Sequence, residues 1–328
     1  MNNIENARMR EQLLDRRQKL QATASKSRDS DDIRNLLNEV DAVLEKIDKG
    51  TFGLCETCLD TIEEDRLLAD PLIRNCLTHL TAAEQRALEH DLDLAYKIQA
   101  ALLPKQNLKV GGWASAYHYQ PAGPVSGDYC DLIVPDGGNG TLYFLLGDVS
   151  GKGVAASILM AHLHAIFRTL TKMNLPVHQL VEEANLLFSE GTMSTHFATL
   201  VCGKADADGR VEICNAGHCF PLVLRANKIE SVPSTGLPLG TFSGIQYSTE
   251  QYTLVSGESL FLYSDGLSES RNRSDVEYGE KRLASLIERK ASLTPEGLIG
   301  VCLDDLKLFR SGVPMADDLT LMSIRRVA

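Results

Sequence analysis

No stretch of this chain approaches the ~20 consecutive apolar residues that a membrane-spanning helix needs. The N-terminus, Met1-Asn2-Asn3-Ile4-Glu5, lacks the basic flank and apolar core of a signal peptide. Basic residues are in deficit: 33 Lys and Arg stand against 44 Asp and Glu, a formal net charge of −11. That balance argues against a nucleic-acid surface as the main business. A disulfide framework is missing too. Of eight cysteines, Cys130, Cys202, Cys214, Cys219 and Cys302 are dispersed, mostly in apolar runs, as small buried hydrophobes are. There is no Gly-x-Ser-x-Gly elbow, and Gly151-Lys152-Gly153 lacks the Gly-x4-Gly-Lys-Ser/Thr of a phosphate loop. These absences leave a soluble cytoplasmic protein with no membrane and no direct nucleic-acid partner.

What the chain has is acid at particular places. Four short motifs stand out: Ser126-Gly127-Asp128-Tyr129, Gly147-Asp148-Val149-Ser150-Gly151, Tyr263-Ser264-Asp265-Gly266-Leu267 and Asp317-Asp318-Leu319-Thr320. Each sets carboxylates beside a glycine or at the edge of an apolar, strand-like run. Carboxylate oxygens are hard ligands that suit Mg²⁺ or Mn²⁺, and glycine lets the backbone come close to a cation. A single Asp-Gly pair is usually just a turn. Four such sites in one chain suggest a two-metal hydrolase.

The chain divides into residues 1–80, 81–104 and 105–328. Residues 4–24 and 32–48 read as two helices joined by a polar break, an antiparallel hairpin. In the second, Ile33, Leu36, Leu37, Val40, Val43, Leu44 and Ile47 recur at three and four, and Gly50 stops the helix. Next come Cys55-x2-Cys58 and, seventeen residues on, Cys76-x2-His79. Ligands paired two residues apart fit one edge of a tetrahedron, and a second pair closes it around one Zn²⁺. Residues 41–79 resemble the zinc finger of the DksA/TraR family, including the helix before it; His79 stands where that family usually has Cys. The resemblance brings RNA polymerase in as a candidate partner. The hairpin here is shorter, with Asp29, Asp31 and Asp32 near its turn as a solvated, helix-starting cluster.

Residues 81–103 form a further helix with Leu88, Leu92, Ala95, Ile98 and Leu102 in one stripe, ended by Pro104. It either packs on the domain that follows or serves as a dimerising, signal-carrying linker. From there strands are expected at 113–120, 128–134, 141–148, 197–205, 210–215, 221–225, 228–232, 246–254, 259–264 and 319–326. Helices are expected at 154–172, 177–190, 279–290 and 295–309. Runs of strands without strict βα alternation give an α+β class: antiparallel sheets with helices packed outside.

The motifs from Ser126 to Met160, with Phe197-Ala198-Thr199, Asn215-Ala216-Gly217-His218, Gly236-Leu237-Pro238-Leu239-Gly240, Tyr263 to Glu269 and Asp317 to Thr320, resemble the PPM serine/threonine phosphatases of the SpoIIE/RsbU branch. They occur in family order, and Ala95 to Pro104 resembles the linker before that domain. The resemblance implies a sandwich of two packed antiparallel sheets flanked by helices. It implies that Asp148 bridges two Mn²⁺ or Mg²⁺ ions, that the Val149 carbonyl binds one, and that Asp128, Asp265 and Asp317 complete a direct or water-mediated shell. Asp131 and Asp318 are neighbours in the same motifs and are held back as supporting carboxylates. Such a pair of cations activates water for in-line attack on phosphorus and clamps the phosphoryl oxygens.

The implied function is hydrolysis of phosphoserine or phosphothreonine on a protein, a STAS-type anti-sigma-factor antagonist in a partner-switching pathway. The alternative is a non-catalytic regulator docking on RNA polymerase through the finger. Its mark would be loss of acidic ligands, and none is lost. Lys152 reads as a solvated or helix-start lysine, with contact to phosphate as the alternative. His218 marks a hairpin in the family motif and is set aside as a general acid. His162 and His164, two apart on a helix, do not share a face.

Overall fold

The computed structural model describes residues 3–24, 31–135, 137, 140–193, 195–225 and 228–328, with side chains except at 3–8, 23–24, 31–32, 65 and 69. Asp29 of the acidic cluster lies outside the described residues, as do the side chains of Asp31 and Asp32. The chain forms two compact units, Met1–Asp91 and Leu92–Ala328.

In the first unit, α1 (Asn3–Ala24) and α2 (Asp31–Asp48) form the predicted hairpin. Met9 and Leu13 of α1 are buried against Val40, Val43 and Leu44 of α2, the residues that the three-four spacing picks out. Gly50, at φ +70°, turns the chain away after α2. A loop follows, then α3 (Glu64–Ala69) and one turn of 3-10 helix (Leu77–His79). α4 (Ala82–Leu102) starts at a capping box: Glu84 N donates to Thr81 Oγ1 at 3.2 Å, and Thr81 N donates to Glu84 Oε2 at 2.8 Å.

The second unit runs β1 (Leu108–Val110), β2 (Trp113–Gln120), β3 (Asp128–Ile133), β4 (Leu142–Val149), α5 (Gly153–Leu170), α6 (Val177–Glu190), β5 (Ala198–Ala205), β6 (Arg210–Ala216), β7 (Leu222–Arg225), β8 (Lys228–Ser231), β9 (Glu250–Thr253), β10 (Ser259–Tyr263), α7 (Asp265–Ser268), α8 (Glu280–Arg289), α9 (Pro295–Arg310) and β11 (Leu319–Arg326). The strands form a six-stranded sheet, β1-β2-β11-β10-β7-β8, and a five-stranded sheet, β3-β4-β5-β6-β9. Every described strand pair is antiparallel. The predicted strand over 246–254 forms only at Glu250–Thr253; short β1, α3 and α7 carry too few residues for a periodic signal.

Alternation along the strands builds three apolar layers. Cys130, Leu132, Phe144, Leu146 and Val201 face Leu260, Leu262, Met322 and Ile324 between the sheets. Tyr129, Ile133, Tyr143 and Leu145 turn the other way, under Leu163, Phe167, Val181 and Phe188 of α5 and α6. Phe261, Tyr263 and Leu321 lie under Leu283, Ile287, Leu298 and Leu306 of α8 and α9. The result is the expected pair of antiparallel sheets flanked by helices.

One expectation needs correction. Gly153–Met173 is long and apolar enough, by length and composition, to cross a membrane. In the fold it is a core helix: Ala156, Met160, Leu163, Ile166, Phe167 and Leu170 are buried against the five-stranded sheet, and helix packing needs that apolar face.

Candidate active site

The four acidic motifs meet at one end of the two sheets. Asp128 opens β3 and Asp148 closes β4, and the two are direct cross-strand partners. Asp265 follows the end of β10, and Asp317 and Asp318 precede β11, the neighbour of β10. Residue parity puts Asp128 and Asp148 on the inter-sheet face, with Cys130, Leu132 and Leu146, so they cap the central layer.

Polar bonds tie this rim together across the sheets. Asp128 is 1% exposed, and the buried Thr320 hydroxyl of β11 donates to its Oδ2 at 2.5 Å. The Tyr119 hydroxyl of β2 donates to the Asp128 carbonyl at 3.1 Å. Ser264 Oγ accepts from Thr320 N at 2.9 Å and donates to the Asp318 carbonyl at 3.2 Å. Asp318 spends its carboxylate on backbone: Oδ1 accepts from Ala122 N at 2.7 Å and Oδ2 from Gly127 N at 2.8 Å. It therefore pins the loop that enters β3. Asp131 faces away, onto α5, where Arg168 grips it with two bonds of 2.8 and 2.7 Å. It braces the sheet against the helix, on the face opposite the rim.

Three glycines keep the rim open to backbone. A Cβ at Gly147 would stand 2.6 Å from the Thr199 carbonyl, and one at Gly127 would stand 3.1 Å from the Val149 carbonyl and 3.4 Å from Asp148 Oδ1. At Gly266 it would overlap the Asp318 carbonyl. Gathering carboxylates here costs charge repulsion and desolvation. Burial first, then the charges of Asp265, Asp317 and Asp318, push Asp148 up to about 7. Burial and the facing Asp148 hold Asp128 well above the usual carboxylate range. Burial and Asp317 raise Asp265. An oxygen-only donor set that cannot all ionise by itself is the chemistry that fits divalent hard cations.

His218 lies behind the rim. Its Nδ1 is 2.8 Å from Thr199 Oγ1 on β5, and its backbone N donates to Asn215 Oδ1 at 2.8 Å. Burial depresses it to about 4. Burial therefore disfavours the imidazolium form that a general acid of ordinary strength would need.

Several contributors escaped the sequence reading. Gln99 of α4 is 4% exposed and brackets Ser126: its Nε2 donates to the Ser126 carbonyl at 2.7 Å, and Ser126 N donates to its Oε1 at 2.9 Å. Ile98, placed on the apolar stripe, is 57% exposed, and Gln99 takes the buried position beside it. The signal was a polar residue one step from an apolar stripe, which sequence periodicity does not resolve. Ser264 and Thr320 lay inside the acidic motifs and Thr199 in Phe197-Ala198-Thr199, but their bonds to partners far along the chain have no local mark.

The predicted Cys/His set comes together. The donor atoms of Cys55, Cys58, Cys76 and His79 all lie within 4.8 Å of one another. Cys58 Sγ and Cys76 Sγ are 3.8 Å apart, which matches a tetrahedron with Zn–S bonds of ~2.3 Å. Thr57 N donates to Cys55 Sγ at 3.4 Å. The two halves are joined by Glu56 N donating to the Arg74 carbonyl at 3.0 Å.

The raised carboxyls carry a sign that can be checked. A carboxyl whose pKa is higher folded than unfolded stabilises the fold at low pH. That stability is lost as pH rises from the ordinary carboxylate range through the folded value. In chelator, the melting temperature of the wild type should fall relative to that of Asp148→Asn between about pH 4 and about pH 7. Mn²⁺ should remove that fall, because it replaces the proton. Parallel melting profiles for the two proteins in chelator would contradict the assignment.

Comparison with known proteins agrees with this geometry. The family described as Stage II sporulation protein E (SpoIIE) matches residues 138–327, more than half of the chain. Phosphoserine phosphatase RsbU of Bacillus subtilis is 23% identical over 249 residues, covering 74% of this chain and 72% of RsbU. Protein IcfG of Synechocystis is 24% identical over 266 residues, 72% of this chain and 41% of IcfG; the chain thus spans about two-fifths of that relative. Among solved structures, the SiaA-PP2C domain of Pseudomonas aeruginosa superposes with a TM-score of 0.65 at 17% identity, covering 75% of this chain and 99% of that domain. The RsbU and RsbW domains of a Mycobacterium tuberculosis protein give 0.57 at 28% identity, covering 67% and 61%. The chain belongs to the SpoIIE family, and its second unit has the fold of the SiaA-PP2C domain.

Proposed function

We propose that this protein hydrolyses phosphoserine or phosphothreonine on a protein substrate, a STAS-type anti-sigma-factor antagonist in a partner-switching pathway. Two Mn²⁺ or Mg²⁺ ions would be held by Asp148, the Val149 carbonyl, Asp128, Asp265 and Asp317. The observation that carries this reading is the cross-strand pair Asp128 and Asp148, set on the inter-sheet face with Asp265 and Asp317 beside it. RsbU is a named phosphoserine phosphatase, which supports the substrate class. When bound, the cations supply an acidified water and neutralise phosphoryl charge.

The chain's own residues do the rest. Thr320 holds Asp128 in one orientation. Asp318 fixes the Ala122–Gly127 loop, and Gln99 holds Ser126 from the other side. Asp148 gives up the proton that its neighbours make it keep. All eight cysteines are free thiols, which fits a reducing cytoplasm. The test is hydrolysis of p-nitrophenyl phosphate and of a phosphoserine STAS protein, with and without Mn²⁺. Wild type should turn over both with Mn²⁺, and Asp148→Ala should lose at least about a hundredfold. Turnover in neither protein would favour the non-catalytic regulator.

Cys55, Cys58, Cys76 and His79 would hold one structural Zn²⁺, with the Cys76 thiol lowered by the Thr78 hydroxyl toward the thiolate that zinc needs. Purified protein should carry one zinc per chain by elemental analysis, and Cys76→Ala should lose it. Full-length protein purified without chelator and free of zinc would refute the assignment.

α4 leaves Leu94 and Ile98 exposed at 50% and 57%. A second copy docking on this face would make the helix a dimerising linker, and its Gln99 would carry the signal to Ser126. Ile98→Asp should halve the sedimenting mass and alter turnover while leaving Mn²⁺ binding intact. A wild type that sediments as a monomer would end this reading.

A further inference from the structure

Lys152 opens α5 four residues after Asp148, between two glycines. Gly151 and Gly153 sit at φ +99° and +73°, and a Cβ at either would meet nothing within 4 Å. The lysine side chain is 69% exposed. Its ammonium nevertheless turns back onto the rim, 3.0 Å from Asp317 Oδ2 and 2.9 Å from the Ala316 carbonyl. Arg271, which lines the cavity beside Asp265 and Asp317, is already committed to Asp275 and Glu277. Among the described residues, Lys152 is the cation that lowers both Asp148 and Asp265.

Resting on the two-cation reading of the rim, we propose that Lys152 is a catalytic residue with two positions. Without cations it serves as the counter-ion of Asp317. With them it contacts a phosphoryl oxygen of the substrate. The exchange follows from charge and reach. A divalent cation on the Asp317 oxygens outweighs one ammonium, because attraction scales with charge and the ion approaches more closely. The displaced ammonium has a flexible four-carbon stem, open backbone on both sides and no packing to hold it. The anion then nearest to it is the phosphate monoester, and lysine binds phosphate as a mobile point charge. That contact gains strength as charge moves onto the oxygens around phosphorus. The flanking glycines allow the swing without disturbing α5.

The position makes two opposite demands that a solvated surface lysine would not meet. Removing the ammonium should free Asp317 for cations and deprive phosphate of a partner. Titration of Mn²⁺ into metal-free protein should show severalfold tighter binding for Lys152→Gln than for wild type. Inorganic phosphate, a competitor of the Mn²⁺-loaded enzyme, should need about tenfold higher concentration to inhibit Lys152→Gln. Lys152→Arg should stay near wild type in both. Unchanged phosphate inhibition of Lys152→Gln, or weaker Mn²⁺ binding, would overturn the proposal. A wild type without Mn²⁺-dependent turnover would instead sink the two-cation reading on which it rests.

Discussion

The buried hydrogen bond from Thr320 to Asp128 is the constraint on which the rim depends. It joins the second residue of β11, in one sheet, to the first residue of β3, in the other. The apolar layer between the sheets sets their spacing but is non-directional. A short bond to a buried carboxylate is directional, and leaving that carboxylate without its partner costs the full desolvation of the group. The bond therefore fixes where Asp128 points and, through the β3–β4 register, where Asp148 stands. The Tyr119 hydroxyl of β2 repeats this cross-sheet bracing on the Asp128 carbonyl, and the Ser264 exchange holds Thr320 in place within its own sheet.

Around that anchor the carboxylates divide by what they touch. Asp318 and Asp131 are spent on structure, one on backbone amides and the other on Arg168. Asp148, Asp265 and Asp317 are left facing one another, and their mutual repulsion with burial raises Asp148 and Asp265. The rim is thus a stored electrostatic cost that a hard cation relieves. Glycine is needed at 147 and 266 because backbone carbonyls occupy the space a side chain would take.

The first unit solves a different problem by different chemistry. Its loop around Cys55 to His79 buries few apolar side chains, chiefly Ile62 and Leu67 with the cysteines themselves. A small loop with so little core gains its rigidity from cross-links or a metal. Soft sulfur and imidazole donors gather there, while hard oxygen donors gather at the rim.

By itself the sequence determined the strand and helix periods, the order of the elements, the Cys/His ligand spacing and the four acidic motifs. These are local patterns, written within a few residues of one another. Tertiary structure alone decided which acids share the rim. Asp128 and Asp131 lie three apart on one strand and read alike as carboxylates in a motif, yet strand alternation sends them to opposite faces. The active face is defined only by the second sheet, whose β11 arrives from nearly two hundred residues away. The same holds for Gln99, whose value depends on where Ser126 packs, and for Lys152, whose partner Asp317 is distant in sequence. A hydrogen bond or ion pair between remote residues needs only complementary atoms at a few ångströms, and no spacing along the chain records that.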